Sequence, residues 1–387
     1  MLKLFKNSEI YSPEKTGKKD ILFCDGKIIA VENEITINTN IEIDIKEYRD
    51  KLIMPGFTDC HVHITGGGGE GSFSTRTPEL DFRDLIKGGI STVVGTLGTD
   101  GITRSMENLI AKAKAINEEG ATCYIYTGSY HVPVKTVTGN IASDIMLFSE
   151  IIGVGEIAIS DHRSSQPTIE ELKKIASDAR LGGILSGKSG IVNLHVGDGE
   201  RQLSFIEEII KNTEIPPTQF LPTHMGRNYR LFENAMKYIK SGGYADFTTS
   251  RNDKSEGLSA SEALFIMLRN NMDLNHITFS SDGQGSLPVF DENGIFSGLS
   301  VGKVTSLYGE IKKLVKNENI PLEKILKVIT VNPANILKLK NKGRIKKGYD
   351  ADFVIADRET LDITDVYFKG KQMMENSVII HMGKFEE

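Results

Sequence analysis

Apolar, β-branched runs recur through the middle of the chain at Ile53–His63, Thr92–Thr96, Thr122–Thr127, Ile151–Ile159, Ile191–Val196, Phe220–His224, Ala245–Thr249 and Ile277–Ser281. Between most of them lie segments with helical periodicity, among them Ser105–Glu119, Thr168–Leu185, Gln202–Lys211, Tyr229–Ser241 and Ser259–Asn271. Eight strands alternating with helices predict an α/β fold, a TIM-like (β/α)8 barrel, although a doubly wound open sheet gives a similar string. The two ends read differently. Short strands and turns are expected at Asp20–Cys24, Lys27–Val31 and Ile35–Ile45, and again at Ala351–Ile355, Asp365–Phe368 and Val378–Met382. The expected organisation is therefore a small β-sandwich domain built from both chain termini (1–54 and 341–387) around a barrel at 55–340.

Composition narrows the function classes. The 387 residues carry 46 basic and 52 acidic side chains, a net charge of −6, dispersed without a basic face, so no nucleic-acid or membrane partner is expected. No apolar run approaches the roughly 20 residues of a membrane span. The N-terminal MLKLFKNSEIYSPEK lacks an export signal's apolar centre, and Cys24, Cys60 and Cys123 are scattered. A reduced, cytoplasmic protein is expected.

The polar residues that interrupt the apolar runs carry the chemistry. His61 and His63 form H-x-H at the end of the first barrel strand, and on a strand residues two apart share a face. His195 ends the fifth strand, His224 ends the sixth, and Asp282 follows the eighth. A single histidine in an apolar strand is usually a hydrogen-bonded core residue. Five metal-competent groups at C-terminal strand ends instead predict a metal-dependent barrel hydrolase. Two glycine-rich segments mimic phosphate loops. Gly66–Gly69 has no Gly-Lys-Ser/Thr after it, and Gly182–Ser189 (GGILSGKS) follows a helix and precedes a strand, the reverse of a P-loop, so it reads as a helix-to-strand loop.

MPGFTDCHVH, the later histidines, SSD after the last strand and the closing GRIKKGYDADFVIAD resemble the amidohydrolase superfamily. HVHITGGGGEG, RTPE, TGSYHVP, ISDHRSSQP, THMGRN and SSDGQGSLP resemble its isoaspartyl (β-aspartyl) dipeptidases, from about residue 8 to the C-terminus. The resemblance implies a zinc-dependent dipeptidase with two zinc ions per subunit. His61 and His63 would bind one with Asp282, and His195 and His224 the other, with Asp282 also the general base. The family pattern has a carbamylated lysine bridging the metals just before I-S-D-H-R. Here GVGEIAISDHRS places Glu156 there, and no lysine lies between Lys135 and Lys173. Glu156 is thus expected to bridge as an unmodified carboxylate, with an extra residue near Gly155 compensating for its shorter arm. The resemblance also assigns Gly68, Gly69 and Glu70 to the substrate amine end, Arg163, Arg227 and Ser286 to its carboxylate, Thr99 to a further contact, and Tyr130 to the scissile carbonyl. It implies a homo-oligomer as large as an octamer. Another amidohydrolase, such as a cyclic amidase or an N-acyl amino acid deacylase, is the rival enzyme, and a metal-free scaffold the rival of another class.

Overall fold

The protein is described by a computed structural model covering residues 1–40, 42–250, 257–291 and 296–386. Eight parallel strands position the site: β1 Phe57–Val62, β2 Ile90–Gly95, β3 Thr122–Thr127, β4 Ile151–Ile159, β5 Ile191–Val196, β6 Phe220–Thr223, β7 Ala245–Thr248 and β8 Ile277–Ser280. The first six form one sheet in chain order, and β7 pairs with β8. Met225 N–H donates to Asp246 O (3.1 Å) between β6 and β7. At the other margin Asp282 N–H reaches His61 O (3.1 Å), and His63 N–H reaches Gly283 O (2.9 Å). The sheet is therefore curled, its last strand returning to its first. Every residue of β1 to β6 except the half-buried Tyr124 is buried, which is why these strands read as continuous apolar runs rather than alternating ones.

Helices separate the strands, as the alternation predicts. Those following β2, β4 and β6, at Met106–Glu119, Ile169–Ser186 and Tyr229–Lys240, begin at Ser105, Thr168 and Asn228, whose side chains accept from the backbone three residues on. Such caps satisfy N–H groups that have no partner within the helix. The GGILSGKS segment differs from its expected loop: residues through Ser186 are helical, and Gly187 terminates the helix in a left-handed conformation. Lys188 Nζ is bonded to the carbonyls of Ile145 (2.6 Å), Phe148 and Ile151 (3.0 Å), so it caps backbone.

Strands from both termini form a single nine-stranded sheet. Its seam is Lys51–Pro55, antiparallel to Phe353–Asp357 and parallel to part of Leu2–Tyr11. Phe5, Phe23, Phe353 and Tyr367 pack edge to face beneath it. Three expected strands are revised, and of these Val378–Met382 is strand only over Val378–Ile379. Ile53–His63 is divided at Gly56, where a Cβ would lie 2.2 Å from Ser91 Oγ; its first part joins the terminal sheet and its second becomes β1. Within Ile35–Ile45 only Ile43–Ile45 is strand, part of Ile43–Glu47; the polar 34–40 stretch makes no ladder, and residue 41 lies outside the described residues. Four strands escaped the sequence reading: Leu2–Tyr11 and Lys371–Glu375, whose apolar runs are broken by charged residues, and the antiparallel pair Ser286–Phe290 and Phe296–Val301.

Candidate metal and substrate site

The histidines meet at the C-terminal ends of the strands, in and below a cavity of about 310 Å3. Two groups of potential metal ligands overlap there: His61, His63 and Glu156, and Glu156, His195 and His224. Glu156 is fully buried and common to both. Its Oε2 lies 3.4 Å from His61 Nε2, 3.2 Å from His195 Nδ1 and 3.8 Å from His224 Nε2, while Oε1 lies 3.5 Å from His63 Nε2. Asp282 Oδ1 faces the first group, 3.1 Å from His63 Nε2 and 3.7 Å from His61 Nε2.

Local backbone geometry makes this convergence possible. Between Val154 and Ile157, β4 holds one residue more than β5 does between their partners Val192 and Leu194, a bulge at Gly155-Glu156. Gly155 has φ +151°, and a Cβ there would come within 2.7 Å of Asn193 O. The bulge places Glu156 with its side chain toward the histidines. His224 and Asp282 both sit at positive φ (65° and 52°), an uncommon conformation for residues with a Cβ that recurs at functional sites.

Neighbouring side chains orient the imidazoles. Asn193 Oδ1 is 3.1 Å from His61 Nδ1, and its amide nitrogen donates to Leu221 O, which fixes the oxygen as the acceptor. His61 therefore donates from Nδ1 and turns Nε2 inward. Thr248 Oγ1 holds His224 Nδ1 at 2.6 Å, and Asp161 Oδ2 holds His195 Nε2 at 3.0 Å. Partners of this kind set the tautomer and direction of metal-binding histidines.

The carboxylates and imidazoles strongly shift one another's ionisation. Burial opposes the charged form of Glu156, but His61 and the hydrogen bonds from His195 and His224 hold its carboxyl well below the usual range. Burial likewise disfavours the His61 imidazolium, yet the Glu156 charge outweighs it and raises the group to about 10. Burial would raise Asp282; the hydrogen bond from His63 and the surrounding imidazoles bring it down to about 2. His61 Nε2, His63 Nδ1 and Glu156 Oε1 are buried without a hydrogen-bond partner. Four imidazoles and two carboxylates with such orphaned atoms suit a divalent cation.

Above this floor stand the expected substrate residues. Gly68, Glu70, Thr99, Tyr130, Arg163, Arg227 and Ser286 all line the cavity; Gly69 does not, its N–H being tied to Thr75 O. A Cβ at Gly68 would lie 3.2 Å from Ser286 Cβ, so the glycine loop and Ser286 share one wall. Tyr130 is buried, its hydroxyl 2.7 Å from His195 Nδ1 and its ring 5.5 Å from the Arg163 guanidinium. Burial and the Glu156 charge push its phenol well above the ordinary value, so it keeps its proton. Arg227 Nε donates to Val196 O (3.1 Å). Glu70 Oε1 accepts from Thr99 Oγ1 (2.8 Å) and Arg163 Nη1 (3.2 Å).

Three residues were missed in the sequence. Asn193 is two positions before His195, and strand periodicity places it on the same face. Thr248 ends β7, the strand to which no site residue was assigned. Asp161 lies inside ISDHR, a segment used for resemblance alone. His131 is exposed and the His162 side chain is 84% exposed.

Residues 225–384 match the Amidohydrolase family. A crystal structure of β-aspartyl dipeptidase from the thermophilic keratin-degrading Fervidobacterium islandicum AW-1, in complex with a β-Asp-Leu dipeptide, is 49% identical with a TM-score of 0.94, over 100% of this chain and 99% of that one. Dihydropyrimidinase from Brevibacillus agri NCHU1002, at 15% identity and TM-score 0.69 over 99% and 97% of the two chains, is similar in fold alone, a TIM-like barrel. A dihydroorotase from Elusimicrobium minutum (strain Pei191) is 25% identical over 92% of this chain and 88% of its own length.

Proposed function

The chain belongs to the β-aspartyl (isoaspartyl) dipeptidases of the amidohydrolase superfamily, hydrolases acting on dipeptides, and we propose that it cleaves β-aspartyl dipeptides at a two-zinc centre bridged by Glu156. The observation that carries this reading is one buried carboxylate shared by two histidine groups, beneath a cavity lined by both an acid and two arginines. His61, His63 and Asp282 would hold one zinc, and His195 and His224 the other, with no carbamylated lysine needed. Bound there, zinc supplies positive charge that makes an attacking water acidic and polarises the amide.

The remaining work falls to the chain. Asp282 takes the proton of the water as it attacks the amide carbon, then gives it to the leaving amine. Tyr130 donates its hydroxyl proton in a hydrogen bond to the carbonyl oxygen, where negative charge develops. Arg163 and Arg227, with Ser286, hold the α-carboxylate, since a guanidinium fork matches carboxylate geometry. Glu70 holds the α-amine beside the backbone of Gly68, with Thr99 as a further contact. We read the curled sheet as a (β/α)8 barrel over residues 55–340, with 1–54 and 341–387 as its β-sandwich companion. A homo-oligomer in the cytoplasm completes the reading; three unpaired thiols support that compartment, and no described helix is long and apolar enough to cross a membrane.

Plasma emission for metal per chain, alongside turnover of isoaspartyl-leucine and α-aspartyl-leucine, tests the whole. Two metals with cleavage of the β isomer alone is expected. One metal with activity would discard the bridge, and metal without cleavage of the isoaspartyl bond would move the protein to another branch of the superfamily. Less than about 0.2 metal per chain after zinc-supplemented purification, far below the two ions of such centres, would revive the scaffold.

A further inference from the structure

Arg163 has two acidic partners, and they differ in kind. Asp161 is buried, its side chain 3% exposed, and grips the guanidinium by both oxygens: Nε to Oδ1 at 3.0 Å and Nη2 to Oδ2 at 2.8 Å. The Arg163 backbone N–H adds a third bond to Oδ1 at 2.8 Å, and His195 Nε2 stands 3.0 Å from Oδ2. That arrangement fixes where the guanidinium points. Glu70 is 34% exposed, makes a single 3.2 Å contact with Nη1, and rides on the glycine-rich loop. The second partner can leave; the first cannot.

We propose that Glu70 and Arg163 form an exchangeable ion pair that closes on itself in the free enzyme and opens for ligands carrying both an ammonium and a carboxylate. This rests on the reading that Glu70 takes the substrate amine and Arg163 its carboxylate. A ligand with both charges trades one ion pair for two. A ligand with the carboxylate alone must compete with Glu70 for Arg163, and success leaves Glu70 beside another anion. A ligand with the amine alone draws Glu70 away and leaves Arg163 with Asp161 only. Arg227 faces no such competition, for it has no acidic partner among the described residues. The Glu70–Arg163 contact therefore acts against single-ended ligands, which plain binding of an amine by Glu70 would not do.

The two ideas make opposite predictions for succinyl-leucine, which is β-aspartyl-leucine without its amine. In the zinc-loaded enzyme, Glu70→Gln is expected to lower kcat/KM for β-aspartyl-leucine by about a hundredfold, the loss of a charge-assisted contact. The same variant is expected to bind succinyl-leucine about fivefold more tightly, read as a calorimetric Kd, because a partly exposed competing ion pair has gone. Unchanged or weaker binding of succinyl-leucine overturns the exchangeable pair and leaves the substrate assignment standing. Absence of β-aspartyl-leucine turnover by the wild type overturns both. Glu70→Ala removes the charge without adding an amide donor and should repeat the gain; a gain confined to the Gln variant would trace to the new donor and overturn the proposal.

Discussion

The floor and the rim of the cavity are built on different principles. On the floor, His61, His63, Glu156, His195 and His224 stand on strands or directly at their ends and are buried, with Asp282, 14% exposed, just beyond the last strand. Three of the four imidazoles are steered by a second side chain, Asn193, Thr248 or Asp161. On the rim, Glu70, Thr99, Arg163, Arg227 and Ser286 come from connecting segments and remain partly exposed. Strand backbone, held on both sides by its ladder, keeps atoms where a metal needs them. Loop side chains that pair with one another can release those pairs to a ligand. On the proposed function, chemistry belongs to the floor and selection to the rim.

The comparison can be broken at several points. The largest effect is expected from Asp282→Asn, which should lower kcat about a thousandfold, within the range for losing a general base, and loosen the zinc it shares with His61 and His63, read by plasma emission. Glu156→Gln should weaken metal binding by about a hundredfold or more and yield chains with one metal or none. Tyr130→Phe should lower kcat by about a hundredfold with KM little changed, as expected for a donor engaged with developing charge. On the rim the signature inverts: Arg227→Met should raise KM about thirtyfold with metal content and kcat nearly unchanged. A loss of metal in that variant would erase the division between floor and rim.

A smaller, pH-dependent effect tests how the rim is anchored. Arg76, beyond the glycine loop, bonds Asp100 at 2.6 Å. Burial would raise the Asp100 carboxyl, but hydrogen bonds from Thr103 and Ile102 and the charge of Arg76 bring it down to about 2. A carboxyl depressed in the folded state stabilises the protein above its unfolded value, near 4, and that contribution fades as pH falls toward 2. Asp100→Asn should cost about 1 kcal/mol at pH 7 in chemical denaturation, a difference that shrinks below about pH 4. A gap that persists at pH 3 would mean the bond geometry, not the charge, anchors the loop.

Legibility followed the range of the forces involved. The alternation of strands and helices, the metal-competent histidines and the absence of a bridging lysine could all be read from neighbours a few residues apart. His61 and His63 share a face because strand geometry alone puts them there. The break at Gly56 was not legible, because it depends on Ser91, 35 positions away in sequence. Nor was the role of Asp161, whose importance lies in touching both Arg163 and His195.

Residue types and local periodicity thus settled which groups are available and at which ends of which strands they sit. The curl of the sheet decided that Glu156 reaches histidines up to 95 positions away, that the bulge at Gly155-Glu156 places its side chain toward them, and that Glu70 and Arg163 face each other across the cavity. Secondary structure answers to contacts along the chain, whereas the distance between two strand ends is set by every strand packed between them.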